Sequence, residues 1–228
     1  MSLDPIEPLT PAARSAWIMT YTGVRFYPFA PRADDVQLAD IAHALAMICR
    51  FTGHTRQFYS VAQHSVNVSR LAECQASADR ALPHKPAIVA QLALVALLHD
   101  AAEAYICDLA QPIKALTPRY EAVETLILHA IHARLAVETS QRYAWRVKAA
   151  DLALLHAEAR ELFSPEARRA AGWDVPDPVD CAPEIIDLCP WTPREAERMF
   201  LERYFYLDSR RERRKSQIPN PNEERAEP

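Results

Sequence analysis

A chain of 228 residues is long enough for one ordinary domain with a sizeable core. Half of it is hydrophobic and only three residues are glycine, which excludes a glycine-rich phosphate cradle and leaves phosphate to side chains or a metal. The formal charge of −4 argues against a broad nucleic-acid-binding face, so no duplex is expected as partner.

Residues 1–16 are punctuated by proline and end in a short helical turn. The aromatic and β-branched run from Trp17 to Pro28, centred on Gly23, predicts a small two-stranded ribbon or extended arm. Its aromatics suit covering a helical core better than stacking a base. Asp34 and Asp35 open the next helix, in which Leu38, Ile41, Leu45 and Ile48 recur at helical spacing. A loop from Cys49 to Tyr59 follows, with Arg50, His54 and Arg56. Planar guanidinium forks suit phosphate oxygens, and Arg56 is singled out as a substrate contact because it lies close in sequence to His64. His54 is a weaker candidate for the same role.

In the helix from Tyr59 to Leu71, His64 falls in register with Val61, Val68 and Leu71 and so points at the core. Cys74 to Pro86 is a connector. From Ala87 to Leu98 only Gln91 is polar, which predicts a helix buried all round. His99, Asp100 and Glu103 then follow within five positions, and on a helix they share a face. Charge at the end of a buried helix is costly unless something neutralises it. Asp108 and Lys114 fall on a loop where Pro112 stops the helix. Thr117-Pro118 starts another helix, with Val123, Leu126, Ile127, Ala130 and Ile131 as its stripe. His129 and His132 lie on it without a nearby acid and read as surface residues. In residues 141–163, Asp151 sits among Val147, Leu154 and Leu155 as His64 does in its own helix.

The segment from Ser164 to Thr192 is rich in proline, yet Trp173, Ile185, Ile186 and Trp191 make it too apolar for a flexible linker. An ordered coil on the core or on a neighbouring subunit is expected. Pro193 to Tyr206 forms a closing helix with an aromatic face, and the charged tail from Ser209 is expected to be disordered. The divisions are an arm (1–33), a helical core (34–163), a wrap with closing helix (164–208) and a tail (209–228). Five cysteines without a CxxC pair, no basic-then-apolar leader, and a longest apolar run short of the ~17–25 residues that span a bilayer all point to a soluble cytoplasmic protein.

Taken singly, a His or Asp on an apolar face is more often a hydrogen-bonded core residue. Three separate apolar faces each offering one is harder to explain that way. His64, His99, Asp100 and Asp151 together form a mixed nitrogen and oxygen set suited to one divalent ion such as Mn, Co, Fe, Zn or Mg.

The order His64, His99-Asp100, Asp151 resembles that of the HD-domain phosphohydrolases. The likeness extends through Ser60-Val-Ala-Gln-His64-Ser, His99-Asp-Ala-Ala-Glu103, Asp108-Leu-Ala-Gln-Pro-Ile-Lys114 and Lys148-Ala-Ala-Asp151, over residues 15–163. This set is similar to the bacterial 5′-deoxynucleotidase branch and its phage dATP-hydrolysing relatives, although Cys107 and Ala110 stand where that branch commonly has Gly and Pro. The resemblance implies an all-α fold, a single HD-domain helical bundle with a short N-terminal arm and an extended C-terminal coil plus helix. It implies metal-dependent hydrolysis of deoxynucleoside 5′-phosphates, foremost monophosphates, with His64, His99, Asp100 and Asp151 as metal ligands. Glu103 and Asp108 take the acid–base roles, Arg56, Lys114 and His54 meet the substrate, and the chain assembles as a homodimer or larger. Three other readings remain beside it: release of triphosphate from a dNTP, a catalytically silent nucleotide-binding regulatory domain, and a metallopeptidase. The last lacks the second His of an HExxH pattern.

Overall fold

The computed structural model describes residues 10–79, 82, 86–173 and 185–211. Helix α1 (Pro11–Arg14) leads into an antiparallel ribbon in which β1 (Ile18–Met19) pairs with β2 (Arg25–Phe26). The turn between them needs a positive φ, which Gly23 supplies at 85°. Phe26 buries its ring flat against Tyr105, with centroids 3.8 Å apart, whereas Trp17 and Tyr21 are exposed, so of the ribbon's aromatics Phe26 covers the core as expected and these two do not. The backbone N–H and hydroxyl of Thr22 donate to the buried Asp40 at 2.7 and 2.9 Å, tying the ribbon to helix α2 (Leu38–Met47).

The first acids do not open that helix as expected. Asp34 and Asp35 lie in a separate 3-10 turn (Ala33–Asp35), and extended backbone at Val36 and Gln37 divides it from α2. Val36 is buried there, so packing overrides the local preference to continue the helix.

Helix α3 (Val61–Ala78) starts where the Ser60 side chain accepts from the backbone N–H of Gln63 at 3.1 Å. Most of its first two turns is buried, polar residues included, because α2, α8 and α10 all pack around it. Helix α4 (Pro86–Leu97) lies alongside α3, and its near-continuous apolar run is buried from Val89 to Leu97 apart from half-buried Gln91. The α-helix ends at Leu97. His99 to Ala102 continue as turns closed by bonds such as Ala101 N–H to Leu98 O (3.1 Å) and Glu103 N–H to Asp100 O (3.0 Å). Winding at three residues per turn stacks Asp100 beneath Glu103.

Helix α5 (Glu103–Ile106) stops at Cys107, whose φ of 67° and ψ of 165° is glycine territory. Pro112 lies at the start of α6 (Gln111–Lys114), so it opens a short helix where a stop was expected. In α7 (Pro118–Arg134), Val123, Ile127, Ala130 and Ile131 are buried, whereas Leu126 is exposed. His129 is exposed as expected, but His132 is half-buried with a sheltered and unpartnered Nε2.

Helix α8 (Gln141–Leu162) packs on α3 and α4, and α9 (Pro165–Ala170) follows it inside the segment expected to be coil. Residues 174–184 of that segment lie outside the described residues. Beyond them, Ile186, Leu188 and Trp191 pack on the core. Buried Gln63 donates to Asp187 O and Cys189 O and accepts from Trp191 N–H, while Asn67 donates to Asp187 O. Helix α10 (Pro193–Arg210) begins with a capping box between Thr192 and Glu195 and inserts Phe200, Tyr204 and Leu207 among α2, α3 and α4. The expected tail boundary is therefore too early: Ser209 and Arg210 are helical, and Arg211 pairs with Asp208 at 2.6 Å. Residues 212–228 lie outside the described residues. Among the described residues the fold is all-α apart from the ribbon, and no described helix is long and apolar enough to cross a membrane.

Candidate metal centre

Three elements deliver four donors to one place. The first turn of α3 carries His64, the turn after α4 carries His99 and Asp100, and the middle of α8 carries Asp151. His64 Nε2 is 3.7 Å from Asp100 Oδ2 and 3.3 Å from Asp151 Oδ1. His99 Nε2 is 3.1 Å from Asp100 Oδ2 and 3.9 Å from Asp151 Oδ1. Ligand atoms bonded at about 2.1 Å to one ion sit roughly 3.0–3.4 Å apart at octahedral or tetrahedral angles. His64, His99 and Asp100 bring their ligand atoms within 4.8 Å of one another, as a shared cation needs, and Asp151 approaches from the side of the two rings.

The orientation of the rings points the same way. His64 Nδ1 faces Glu158 Oε1 at 2.8 Å, and His99 Nδ1 faces Ala96 O at 2.8 Å. Both partners accept, so each Nδ1 must donate. In the neutral ring this leaves the Nε2 lone pair free, and both Nε2 atoms are buried without a hydrogen-bond partner. Both Nε2 atoms face the two carboxylates, a place that a divalent ion would fill once the rings are neutral.

The electrostatics agree. Burial and Arg50 pull the His64 pKa down, but Glu158 and Asp151 outweigh them and raise it to about 9. Burial pushes Asp100 up, yet His99, His64 and Arg50 hold it well below the usual carboxylate range. Asp151 is also held low against burial, by His64, His99 and Lys148, whose ammonium meets its second oxygen at 2.9 Å. Metal binding would displace the His64 proton, since only the unprotonated ring ligates.

Glu103 is buried with Oε2 unpartnered. Burial, then Asp100 and Asp108, push its pKa up to about 10. Asp108 is half-buried and also raised, by burial foremost. Lys114 is half-buried, donates to Glu124 at 2.6 Å, and lies close enough to Glu103 and Asp100 for both to raise its pKa. Arg56 does not reach the cluster: its backbone N–H donates to Leu162 O at 3.0 Å and its guanidinium to Glu161 O, closing the end of α8. His54 is exposed in the same loop.

Arg50 is the arginine at the cluster, only 11% exposed, with Nη1 3.8 Å from Asp100 and Nε 3.1 Å from Glu158. The loop that carries it is pinned at its base, where Cys49 bridges Ser60 and Arg50 N–H donates to Tyr59 O at 2.9 Å. Directly after it, Phe51 and Thr52 adopt φ of 54° and 53°. Positive φ is uncommon for a bulky side chain and concentrates at functional sites. Phe51 there meets Phe163 edge-on at 5.2 Å and lies 6.3 Å from Trp173, an aromatic wall beside Arg50. Sequence reasoning missed Arg50, for which nothing local distinguishes it from Arg56. It also missed Glu158, although a signal existed: Glu158 is two helical turns beyond Asp151 and one beyond buried Leu154, so it had to point inward.

Comparison with known proteins gives a consistent picture. A family model described as 5′-deoxynucleotidase YfbR-like matches residues 37–160. The uncharacterized protein YfdR of Escherichia coli K12 is 34% identical over 189 residues, covering 83% of this chain and 94% of its own length. An uncharacterized protein of Rhodobacter capsulatus is 33% identical over 202 residues, covering 85% of this chain and 96% of its own.

Proposed function

The chain belongs to the YfbR-like 5′-deoxynucleotidase family, of the HD-domain superfamily, and from that premise we propose that it is a metal-dependent phosphohydrolase removing phosphate from deoxynucleoside 5′-monophosphates. The observation that carries the reading is the meeting of two buried, unpartnered imidazole Nε2 atoms with Asp100 and Asp151. His64, His99, Asp100 and Asp151 would hold one divalent ion. Such an ion supplies Lewis acidity toward a phosphate oxygen and toward water.

The remaining work falls to side chains. Hydrolysis joins a water oxygen to phosphorus and breaks the bond from phosphorus to O5′, so one proton must leave the water and one must reach O5′. Glu103 is the proton carrier: its shelter and two neighbouring carboxylates give it a high proton affinity, and a nearby cation lowers that affinity toward the working range. Asp108 orients the water or the departing alcohol. Arg50 uses one N–H on Glu158 and keeps further donors for phosphate oxygens, with Lys114 as a second cation. Phe51 and Trp173 offer the base an aromatic face.

The test is incubation of metal-supplemented protein with each dNMP, NMP and dNTP, followed by identification of the products. Inorganic phosphate from dNMPs supports the proposal. Triphosphate released from dNTPs would move it to the triphosphohydrolase reading, and binding without turnover to a regulatory one.

A further inference from the structure

Glu158 is a completely buried carboxylate on α8, 0% exposed, and it meets two different functional groups with its two oxygens. Oε1 accepts from His64 Nδ1 at 2.8 Å, and Oε2 accepts from Arg50 Nε at 3.1 Å. His64 is buried to the same degree, and the Arg50 side chain is only 11% exposed. No alternative acceptor for His64 Nδ1 is within reach among the described contacts, whereas Arg50 has a second, longer approach to Asp100 at 3.8 Å. One carboxylate therefore stands between the ring that would face the metal and the guanidinium that would face phosphate.

We infer that Glu158 is a positioning residue that fixes the His64 tautomer for metal binding and, through its other oxygen, holds Arg50 over the same ion for phosphate recognition. The inference rests on the metal-dependent reading above. An ionised carboxylate can only accept, so it forces the proton of the neutral ring onto Nδ1 and presents the Nε2 lone pair to the ion. It also offsets the Arg50 charge, which would otherwise be buried beside an incoming cation. Metal affinity and substrate affinity thus share one support, and a single change there should weaken both. A residue serving only the core would lower stability and leave the two affinities of the folded protein alone.

Glu158→Gln makes the distinction, because an amide has one accepting and one donating end. It can satisfy the N–H of His64 or that of Arg50, but not both. With folding checked by circular dichroism, calorimetric titration with Mn²⁺ should give a dissociation constant about 10–100-fold weaker than wild type, the range for loss of a partner behind a ligating imidazole. At saturating Mn²⁺, KM for a dNMP should still rise several-fold while kcat falls less, and Glu158→Asp should restore part of both. A folded Glu158→Gln that binds Mn²⁺ within twofold of wild type overturns the inference. Wild-type protein that binds no divalent ion overturns the metal reading itself, which keeps the two failures apart. If Glu158→Gln does not fold, ¹H–¹⁵N correlation of His64 in the wild-type protein loaded with Zn²⁺ decides. Protonated Nδ1 with metallated Nε2 supports the inference, and any other assignment overturns it.

Discussion

Glu103 combines a buried, unpartnered oxygen with two carboxylates close enough to press a proton onto it. Gln in its place keeps the shape and removes the titrating group. Glu103→Gln is expected to lower kcat by about 10²–10⁴-fold while metal content holds, read by steady-state kinetics beside metal analysis. Full activity would remove Glu103 from the chemistry and promote Asp108. Cys107 gives a second prediction at this scale. Its φ of 67° and ψ of 165° belong to a region that costs a residue with a Cβ of order 1–3 kcal/mol. Part of any gain from glycine is lost to the freedom of the unfolded chain. Cys107→Gly should therefore raise the urea midpoint, corresponding to about 1 kcal/mol; a lower midpoint would mean that the thiol makes a contact that matters more than the strain.

Among the elements, α8 shows what was readable in the sequence and what was not. Its apolar spacing fixes which face looks inward, and that alone singles out Asp151. The same spacing points to Glu158, but nothing local marks its role, because its partners His64 and Arg50 lie 94 and 108 residues away in the chain. No periodicity reports a pairing of that range. The His64 and His99-Asp100 helices were legible for the same reason as Asp151: polar residues interrupted faces that burial had otherwise made apolar. The break between α4 and α5 was not, since a turn wound at three residues keeps the local look of a helix. The two loop arginines could not be ranked by nearness in sequence, because the bridge between Cys49 and Ser60 folds the first one back over α3. Arg56 instead closes the C-terminus of α8. Arg56→Ala is expected to cost about 0.5–1 kcal/mol in urea unfolding and leave KM within twofold. Arg50→Lys should raise KM at least tenfold, since an ammonium cannot bridge Glu158 and phosphate as a guanidinium fork does. The reverse pattern in kinetics would restore Arg56 as the substrate contact.

For the molecule as a whole, the cluster is a point of tension until a cation joins it. Glu103, Asp108 and three further acids lie close together around it, with Arg50 as the principal buried counter-charge. A ligand that binds only the folded state at 100 times its dissociation constant adds about 2.7 kcal/mol. For a chain of this length that corresponds to a rise in Tm of about 5–10 °C. Thermal scans with Mn²⁺ should show the rise, a chelator should abolish it, and His64→Ala should lack it from the start. An unchanged Tm in the wild-type protein would argue that these donors do not hold an ion.

The position of α10 bears on how such a molecule comes into being. The helices that carry the donors are complete by Leu162, but α2, α3 and α4 keep an apolar side that Phe200, Tyr204 and Leu207 fill, with Ala196 and the residues around Leu188. Gln63 and Asn67 likewise wait for the backbone of residues 187–191. During synthesis, the part of the chain that carries the candidate donors therefore leaves the ribosome before the helix that packs against it. The nascent chain then passes through a stage in which the donor helices have an open flank. Exposed apolar surface at that stage invites association. The packing around the donor helices is thus completed by a helix that contributes none of the candidate donors.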